Sequence, residues 1–401
     1  CRWRAALRFP YNVSMKDAVK AHPGAKWDKT GKFWSVPLEA LPWIEQDAEK
    51  LGWRMEGVSE LPLRDWETFD ELQLPSTLAD MIFDYQRDHA EVAVNRRRHI
   101  HANEMGVGKT LEMIAAVCHL KPAKVLVVSP AIVRPKWHRE LVEWYSPSGL
   151  TLDRIRAGRN RKAITKAQRA AYDADIQFVS WALLGDVDLE GWDVIILDEF
   201  HRCKNPASSN YKATKALLNA NPSAFVFAAT GTPIADRPMD VWAQVDLLWP
   251  GRLGSAWQFK ERYLNKEPNA WTKSGWQHTS LKEGPLRTEL KHRLSWLMTR
   301  TTKSEIAHLL PDGDVQVVPI EIEGQQDFFA EVSEEETEAF GAGIAALKVK
   351  YVEQFVREQL DQGASHVFIG VKRIKTAERY AAQNWVVDGK RVQVSLITGP
   401  K

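Results

Sequence analysis

At 401 residues, with 44% apolar and 26% charged side chains, the chain is long enough for two or three domains of ordinary globular composition. The net charge of +2 excludes a uniformly basic nucleic-acid coat, so any polyanion must be met by local patches. No apolar run approaches the ~20 residues of a membrane span, so no membrane partner is expected, and three cysteines without metal-ligand spacing fit a reducing, intracellular setting.

Residues 1–57 form a block of their own, with Trp3, Trp27, Trp34, Trp43 and Trp53 among the chain's 17 tryptophans. Its opening, Cys1-Arg-Trp-Arg4, has no secretory pattern and no initiator methionine, so further residues are expected upstream. Turns at Pro23-Gly24 and Lys29–Gly31 precede a strand over 33–36. Residues 58–76 are polar and proline-bearing and read as a linker. From 77 to 312 the patterns alternate: a helix over 78–94, a strand at His99-Ile100, a helix over 111–120, a strand over 124–128 and a helix over 136–144. Strands follow at 175–179, 194–197 and 224–228, then a mainly helical elaboration over about 236–300. This alternation predicts an α/β fold, a parallel sheet covered by helices on both faces, with ligands at the C-terminal strand ends. Residues 313–401 begin a second α/β unit, with strands at 315–322, 366–369 and 392–397, and stop before it closes.

Two segments carry chemistry. His101-Ala-Asn-Glu-Met-Gly-Val-Gly-Lys-Thr110 ends in Gly-Lys-Thr at the mouth of an apolar helix. Backbone N–H groups of a glycine turn wrap phosphates, and the helix N-terminus adds a favourable dipole. Met105, Gly106, Val107, Gly108, Lys109 and Thr110 are therefore expected to bind a nucleotide, with Lys109 on the β and γ phosphates and the Thr110 hydroxyl on Mg²⁺. The general pattern wants a glycine where this chain has Asn103. The second segment, Asp198-Glu-Phe-His201, closes the apolar run Trp192–Leu197 at the tip of a buried strand. Asp198 is expected to hold Mg²⁺ and Glu199 to polarise the attacking water. Lys109, Asp198 and Glu199 form the expected catalytic set, and ATP with Mg²⁺ the expected ligands.

Further segments stand in a telling order: Asp84-Tyr-Gln86, Val128-Ser-Pro-Ala131 with Trp137, Val179-Ser-Trp181, Thr230-Gly-Thr-Pro-Ile234, and Arg300-Thr-Thr-Lys303 with Leu309-Leu-Pro311. With the two segments above, this series resembles the ATPase motor of the Swi/Snf-like proteins in helicase superfamily two, over residues 78–401. The resemblance implies a RecA-like lobe, a second such lobe, and ATP held between them. It implies that Gln86 reads adenine, that His201, Thr230, Gly231 and Thr232 couple the lobes, and that Ser129, Pro130, Ser180 and Trp181 face the DNA backbone. The family's own loop, Asp-Glu-Met-Gly-Leu-Gly-Lys-Thr, lacks the first glycine too, so Asn103 departs little from it. Gly231–Pro238 carries the Arg-Pro typical of the annealing-helicase branch. Residues 9–45, through Pro23–Trp27 and Lys32–Pro37, are similar to that branch's HARP-type domain. Together these imply a translocase on duplex DNA that reanneals or remodels forked or partly single-stranded substrates, DNA-associated inside the cell, in the cytoplasm or nucleoid or in a nucleus. The motif with the family's arginine fingers is expected beyond Lys401.

Blander readings stand beside these. The amino-terminal tryptophans suit the core of a small domain, and Trp27 and Trp34 also suit stacking on unpaired bases. Ser129, Ser180 and Thr232 suit strand capping as well as phosphate contacts. His201 suits a plain structural role as well as coupling. The basic stripe from Arg154 to Arg169 and the run Arg96-Arg97-Arg98 read equally as solvated charge or as DNA grip. A restriction or defence motor, and a nucleotide-gated DNA scaffold that hydrolyses little, remain alternatives to the translocase.

Overall fold

The apolar runs of the sequence become the strands of a parallel sheet in a computed structural model of the chain. The structure describes residues 4–56, 71–145, 152–154, 176–186, 189–234, 237–269 and 276–309, with short stretches beyond, including 355–357, 386–387 and 390–391. Two compact units divide the chain, Cys1–Pro311 and Asp312–Lys401.

The first unit is built on strands β4 (Arg98–His101), β5 (Val125–Ser129), β6 (Leu152–Arg154), β7 (Ile176–Ser180), β8 (Val194–Asp198), β9 (Phe225–Ala229) and β12 (Met298–Thr299). They lie in the order β12-β4-β9-β8-β5-β7-β6, and every neighbouring pair is parallel. Helices α5 (Lys109–Leu120), α6 (Arg134–Trp144) and α7 (Ser209–Ala220) lie between consecutive strands along the chain. Helix cover on both faces is why β5 and β8 read as unbroken Val, Ile and Leu instead of alternating: Val125–Val128 and Val194–Leu197 are all buried. This is a RecA-like α/β lobe, and it places the C-terminal tips of β4, β8 and β9 side by side.

Two elements differ from expectation. The helix expected over 78–94 is two helices, α3 (Ser76–Ala79) and α4 (Asp84–Arg96). Gln86 breaks it by accepting the Phe83 backbone N–H on its side-chain oxygen at 3.1 Å, while Phe83 stays extended at ψ 152. A side chain that satisfies an orphan N–H starts a helix afresh. The region over 236–300 holds helices α8 (Met239–Leu248), α9 (Ala256–Tyr263) and α10 (Pro285–Ser295), but also an antiparallel pair, β10 (Leu264–Pro268) with β11 (Trp276–Leu281). Its polar side chains give no apolar period to read.

The amino-terminal block has strands β1 (Arg4–Leu7), β2 (Lys26–Asp28) and β3 (Phe33–Pro37) in the antiparallel order β1-β3-β2, with helices α1 (Val13–Ala21) and α2 (Leu41–Lys50). It shares one compact unit with the parallel sheet, where the sequence suggested a separate domain. Part of the expected linker falls outside the described residues. Of the rest, Leu72 is buried and the Gln73 N–H donates to His119 Nδ1 at 3.0 Å, on α5.

Buried charge welds the block to the elaboration. Arg252 grips the fully buried Glu39 with two hydrogen bonds of 2.8 and 2.6 Å. Arg293, also fully buried, donates to the carbonyls of Pro23 and Arg252 at 2.8 Å. Arg262 binds Glu289 at 2.7 Å and lies 3.0 Å from His22, whose other ring nitrogen meets Asp47 at 3.1 Å. Such groups are tolerated inside only when paired, and removing one partner strands the other.

In the second unit the structure describes an antiparallel pair, β13 (Val386–Val387) with β14 (Lys390–Arg391). The strands expected at 315–322 and 392–397 lie outside the described residues. Of 366–369 only Val367 and Ile369 are described, and neither stands in a strand.

Burial pushes the Glu289 carboxyl up, but hydrogen bonds from His22 and Arg262 outweigh it and hold the group at about 2, below the ordinary 4.5. A depressed carboxyl stabilises fully above its unfolded value and loses that contribution as pH falls toward its folded value. Urea midpoints between pH 5 and 2 should therefore fall with acid, and Glu289→Gln should remove about 3 kcal/mol of that pH dependence. An acid limb unchanged by the substitution would contradict the network.

Candidate functional site

The chain leaves β4 at His101, turns through residues 102–108 and enters α5 at Lys109. Gly106 and Gly108 stand at φ 83 and 86, in the left-handed region that a side chain resists. At Gly108 a Cβ would also collide with the Gln86 amide. The Val107 carbonyl is drawn inward by the Tyr85 hydroxyl at 2.8 Å and by Gln86 Nε2 at 3.4 Å. In a trans peptide the following N–H points the opposite way, so the Gly108 N–H faces the mouth of the loop. Lys109 Nζ donates to the carbonyls of Asn103 and Glu104 at 2.9 and 3.0 Å, which gathers the loop around its ammonium. Burial lowers the Lys109 pKa, although Glu199, Glu112 and Asp198 act the other way. Thr110, half-buried on the first turn of α5, stands next to Lys109.

Asn103 sits where a glycine was wanted, and it is fully buried. Its Nδ2 donates to Glu112 Oε1 at 2.6 Å, and its Oδ1 accepts the Thr301 N–H at 2.8 Å. Glu112, also fully buried, takes His101 Nδ1 on its other oxygen at 2.6 Å and has His89 Nδ1 3.2 Å away. Burial raises the Glu112 carboxyl, but hydrogen bonds from His101 and His89 more than reverse this, so it stays ionised. Sequence reading missed the whole cluster: a glutamate three residues into an apolar helix was its one visible signal.

The segment after β12 runs along the same loop. The Ala102 N–H donates to the Thr299 carbonyl at 2.8 Å, the Glu104 N–H to the Thr301 carbonyl at 2.9 Å, and the Lys303 N–H to Glu104 Oε2 at 2.7 Å. Arg300 donates to the Ala102 carbonyl at 2.8 Å. From β9, the Thr230 N–H bonds the His101 carbonyl at 3.0 Å. A Cβ on Gly231 would lie 2.6 Å from Met105 and 3.8 Å from Lys109 Nζ. Thr230, Gly231, Met105 and Lys109 are therefore brought together, with exposed Thr232 at the edge, its N–H on Thr230 Oγ1 at 3.2 Å.

Asp198 and Glu199 close β8. Each Asp198 carboxylate oxygen holds an N–H at 2.9 Å, Oδ1 that of Glu199 and Oδ2 that of the Trp137 indole. Burial raises the Asp198 pKa. Glu199 adopts φ 54, ψ 50, a strained conformation for a residue with a Cβ, of the kind that gathers at functional sites. His201 Nδ1, 3.1 Å away, keeps the Glu199 carboxyl ionised and below its ordinary value.

Ser129, Ser180 and Trp181 are buried. The Trp181 indole turns back to the Asp198 carbonyl at 2.9 Å, and Pro130 is half-buried. Gln86 is buried under the loop, with both ends of its amide engaged by Phe83 and Val107, so an adenine contact would require it to release one of them. Arg96 and Arg98 are spent on the carbonyls of Ser295 and Leu248 at 3.1 and 2.7 Å. Beyond Arg154, the basic stripe lies outside the described residues. Trp27 stands 49% exposed opposite Trp34, their rings 5.7 Å apart.

The residues present fit a magnesium nucleotide. The glycines leave room that a Cβ would fill, the helix opens behind them, and an ammonium, a hydroxyl and a partly buried carboxylate surround the loop. Among the described residues no cluster of three or more His, Cys, Asp or Glu side chains suits a metal. Mg²⁺ needs none, because it is ordinarily held by one or two protein oxygens with phosphates and water.

The fold is a RecA-like α/β lobe with a glycine turn between β4 and α5. The model of the SNF2-related domain matches residues 83–361, and the chain belongs to that family. It is 30% identical over 262 residues to the SWI/SNF-related matrix-associated actin-dependent regulator of chromatin subfamily A-like protein 1 of Xenopus tropicalis, covering 64% of this chain and 26% of that protein. To the mouse DNA annealing helicase and endonuclease ZRANB3 it is 26% identical over 267 residues, covering 64% of this chain and 24% of that one. Among solved structures it is similar to the Sulfolobus solfataricus SWI2/SNF2 ATPase core in complex with dsDNA, at 26% identity and a TM-score of 0.44, over 59% of this chain and 47% of that one. The chain thus spans about a quarter of the length of these two curated relatives.

Asn103→Ala would leave Glu112 and the Thr301 N–H short of partners, at a cost of about 2–3 kcal/mol by thermal denaturation. Asn103→Gly, which restores the general pattern, should do no better. A stable glycine variant would show that the cluster does not hold the loop.

Proposed function

We propose that this chain is the motor of a DNA-dependent ATPase that translocates along duplex DNA and remodels or reanneals forked or partly single-stranded DNA. The observation that carries the reading is a glycine-turn lysine after β4 that feels the charge of the aspartate–glutamate pair at the tip of β8, one strand further along the sheet, in a chain of the SNF2-related family. Hydrolysis of ATP to ADP and phosphate, water replacing ADP on the γ phosphorus, would supply the free energy, and Mg²⁺ would neutralise phosphate charge.

The chain's residues do the rest. The loop N–H groups and Lys109 bind the phosphates, and Lys109 must exchange its hold on the Asn103 and Glu104 carbonyls to do so. Thr110 and Asp198 would hold the metal through their side-chain oxygens. Glu199, kept ionised by His201, orients a water and draws its proton. Gly231 packs on Met105 beside Lys109, so Thr230–Thr232 is placed to sense the state of the loop. The segment from Thr299 to Lys303 is laced to that loop and would respond to a change in it. Gln86 recognises adenine once freed from the loop.

The reannealing branch is favoured by the match to an annealing helicase and by the exposed Trp27 beside Trp34, flanked by Lys26, Lys29 and Lys32. Stacking of unpaired bases on these rings would read forks, and the buried ion network would hold the reader firmly on the motor. Such a protein works where DNA is.

Glu199→Gln separates this reading from a nucleotide-gated scaffold. In the full-length protein it should cut ATP hydrolysis by roughly 10²–10⁴-fold and abolish fork reannealing while DNA binding persists. Reannealing that survives the substitution would favour the scaffold.

A further inference from the structure

Two indole N–H groups converge on one aspartate. Trp137 Nε1 donates to Asp198 Oδ2, and Trp181 Nε1 to the Asp198 backbone carbonyl, both at 2.9 Å. Both rings are buried, at 1% and 4% exposure. Trp137 arrives on α6, after β5, and Trp181 follows directly from β7. Since β5 lies between β7 and β8, the Trp181 side chain reaches across the end of a strand to make its contact.

The two contacts act on different bonds. A carboxylate turns easily about its last torsion, and an indole is a donor with no acceptor role, so the Trp137 contact selects one carboxylate orientation. The Asp198 carbonyl belongs to the peptide plane that sets φ of Glu199, which stands at the strained value of 54. Holding that carbonyl holds the plane.

We propose that Trp137 and Trp181 are positioning residues of the hydrolytic site: Trp137 fixes the metal-facing carboxylate of Asp198, and Trp181 fixes the peptide that keeps Glu199 aimed. This deepens the reading of the loop and strand tips as a magnesium nucleotide site and rests on it. Packing alone does not account for the arrangement, because each buried ring directs its one polar atom at Asp198.

The test is Mn²⁺ titrated into the full-length protein with ADP, the free ion followed by electron paramagnetic resonance, beside ATP turnover. Trp137→Phe should weaken Mn²⁺ binding about tenfold, as loss of a hydrogen bond to a charged group does. Trp181→Phe should leave Mn²⁺ affinity nearly intact and lower turnover about tenfold. Trp242→Phe, which loses an indole bond of 3.1 Å to the Gly254 carbonyl elsewhere, should change neither. If Trp137→Phe does not fold, benzothienylalanine at 137, which keeps the ring shape and lacks the N–H, gives the same readout. Unchanged Mn²⁺ affinity in the position-137 variant, with wild-type binding intact, overturns the proposal. Wild-type Mn²⁺ binding that is weakened at 137, with no ATP turnover by the wild type, leaves the clamp standing and sinks the ATPase reading instead.

Discussion

The phosphate loop depends on one buried carboxylate. Glu112 is fully covered on the first turn of α5, and an ionised carboxylate in that position is expensive unless its oxygens are met by donors. His101 from β4, Asn103 from the loop and His89 from α4 meet it, and Asn103 passes the contact on to Thr301. Strand, loop, two helices and the segment after β12 are thereby tied at one point. The loop holds its shape without the first glycine because a side chain, not backbone freedom, fixes its start.

The same logic recurs at the amino-terminal block. Glu39, Arg252, Arg293, Glu289, Arg262 and His22 form a chain of buried partners between the block and the elaboration. A flexible module would be held by surface contacts that come apart singly; here each charge removed strands another. The consequence is a small sheet carrying an exposed tryptophan as a fixed part of the unit that also contains the proposed nucleotide site.

Much of this was legible in the sequence. Unbroken Val, Ile and Leu runs marked β5 and β8, and the apolar run Phe225–Ala228 marked β9, each nearly to the residue, and the Gly-Lys-Thr and Asp-Glu-X-His segments pointed to the C-terminal ends of β4 and β8. What stayed hidden was set by side chains acting at long range. Gln86 broke a helix through a bond to Phe83 that no periodicity reveals. The polar strands β10 and β11 carry no apolar alternation. Ser129, Ser180 and Trp181 stand where a strand meets its turn, but neighbouring elements bury them. Trp137 and Trp181 give no hint in the sequence that both bond one aspartate 61 and 17 residues away. The arginines at 96 and 98 look like surface charge and in fact hold distant carbonyls.

The central claim is that ATP hydrolysis at this site is coupled to DNA. Steady-state turnover by the full-length protein, measured without DNA and with single-stranded, duplex and forked DNA, tests it most directly. The account predicts strong stimulation by duplex or forked DNA and little by single strands. Turnover that is indifferent to DNA would contradict it and leave a nucleotide-binding lobe whose partner is some other polymer.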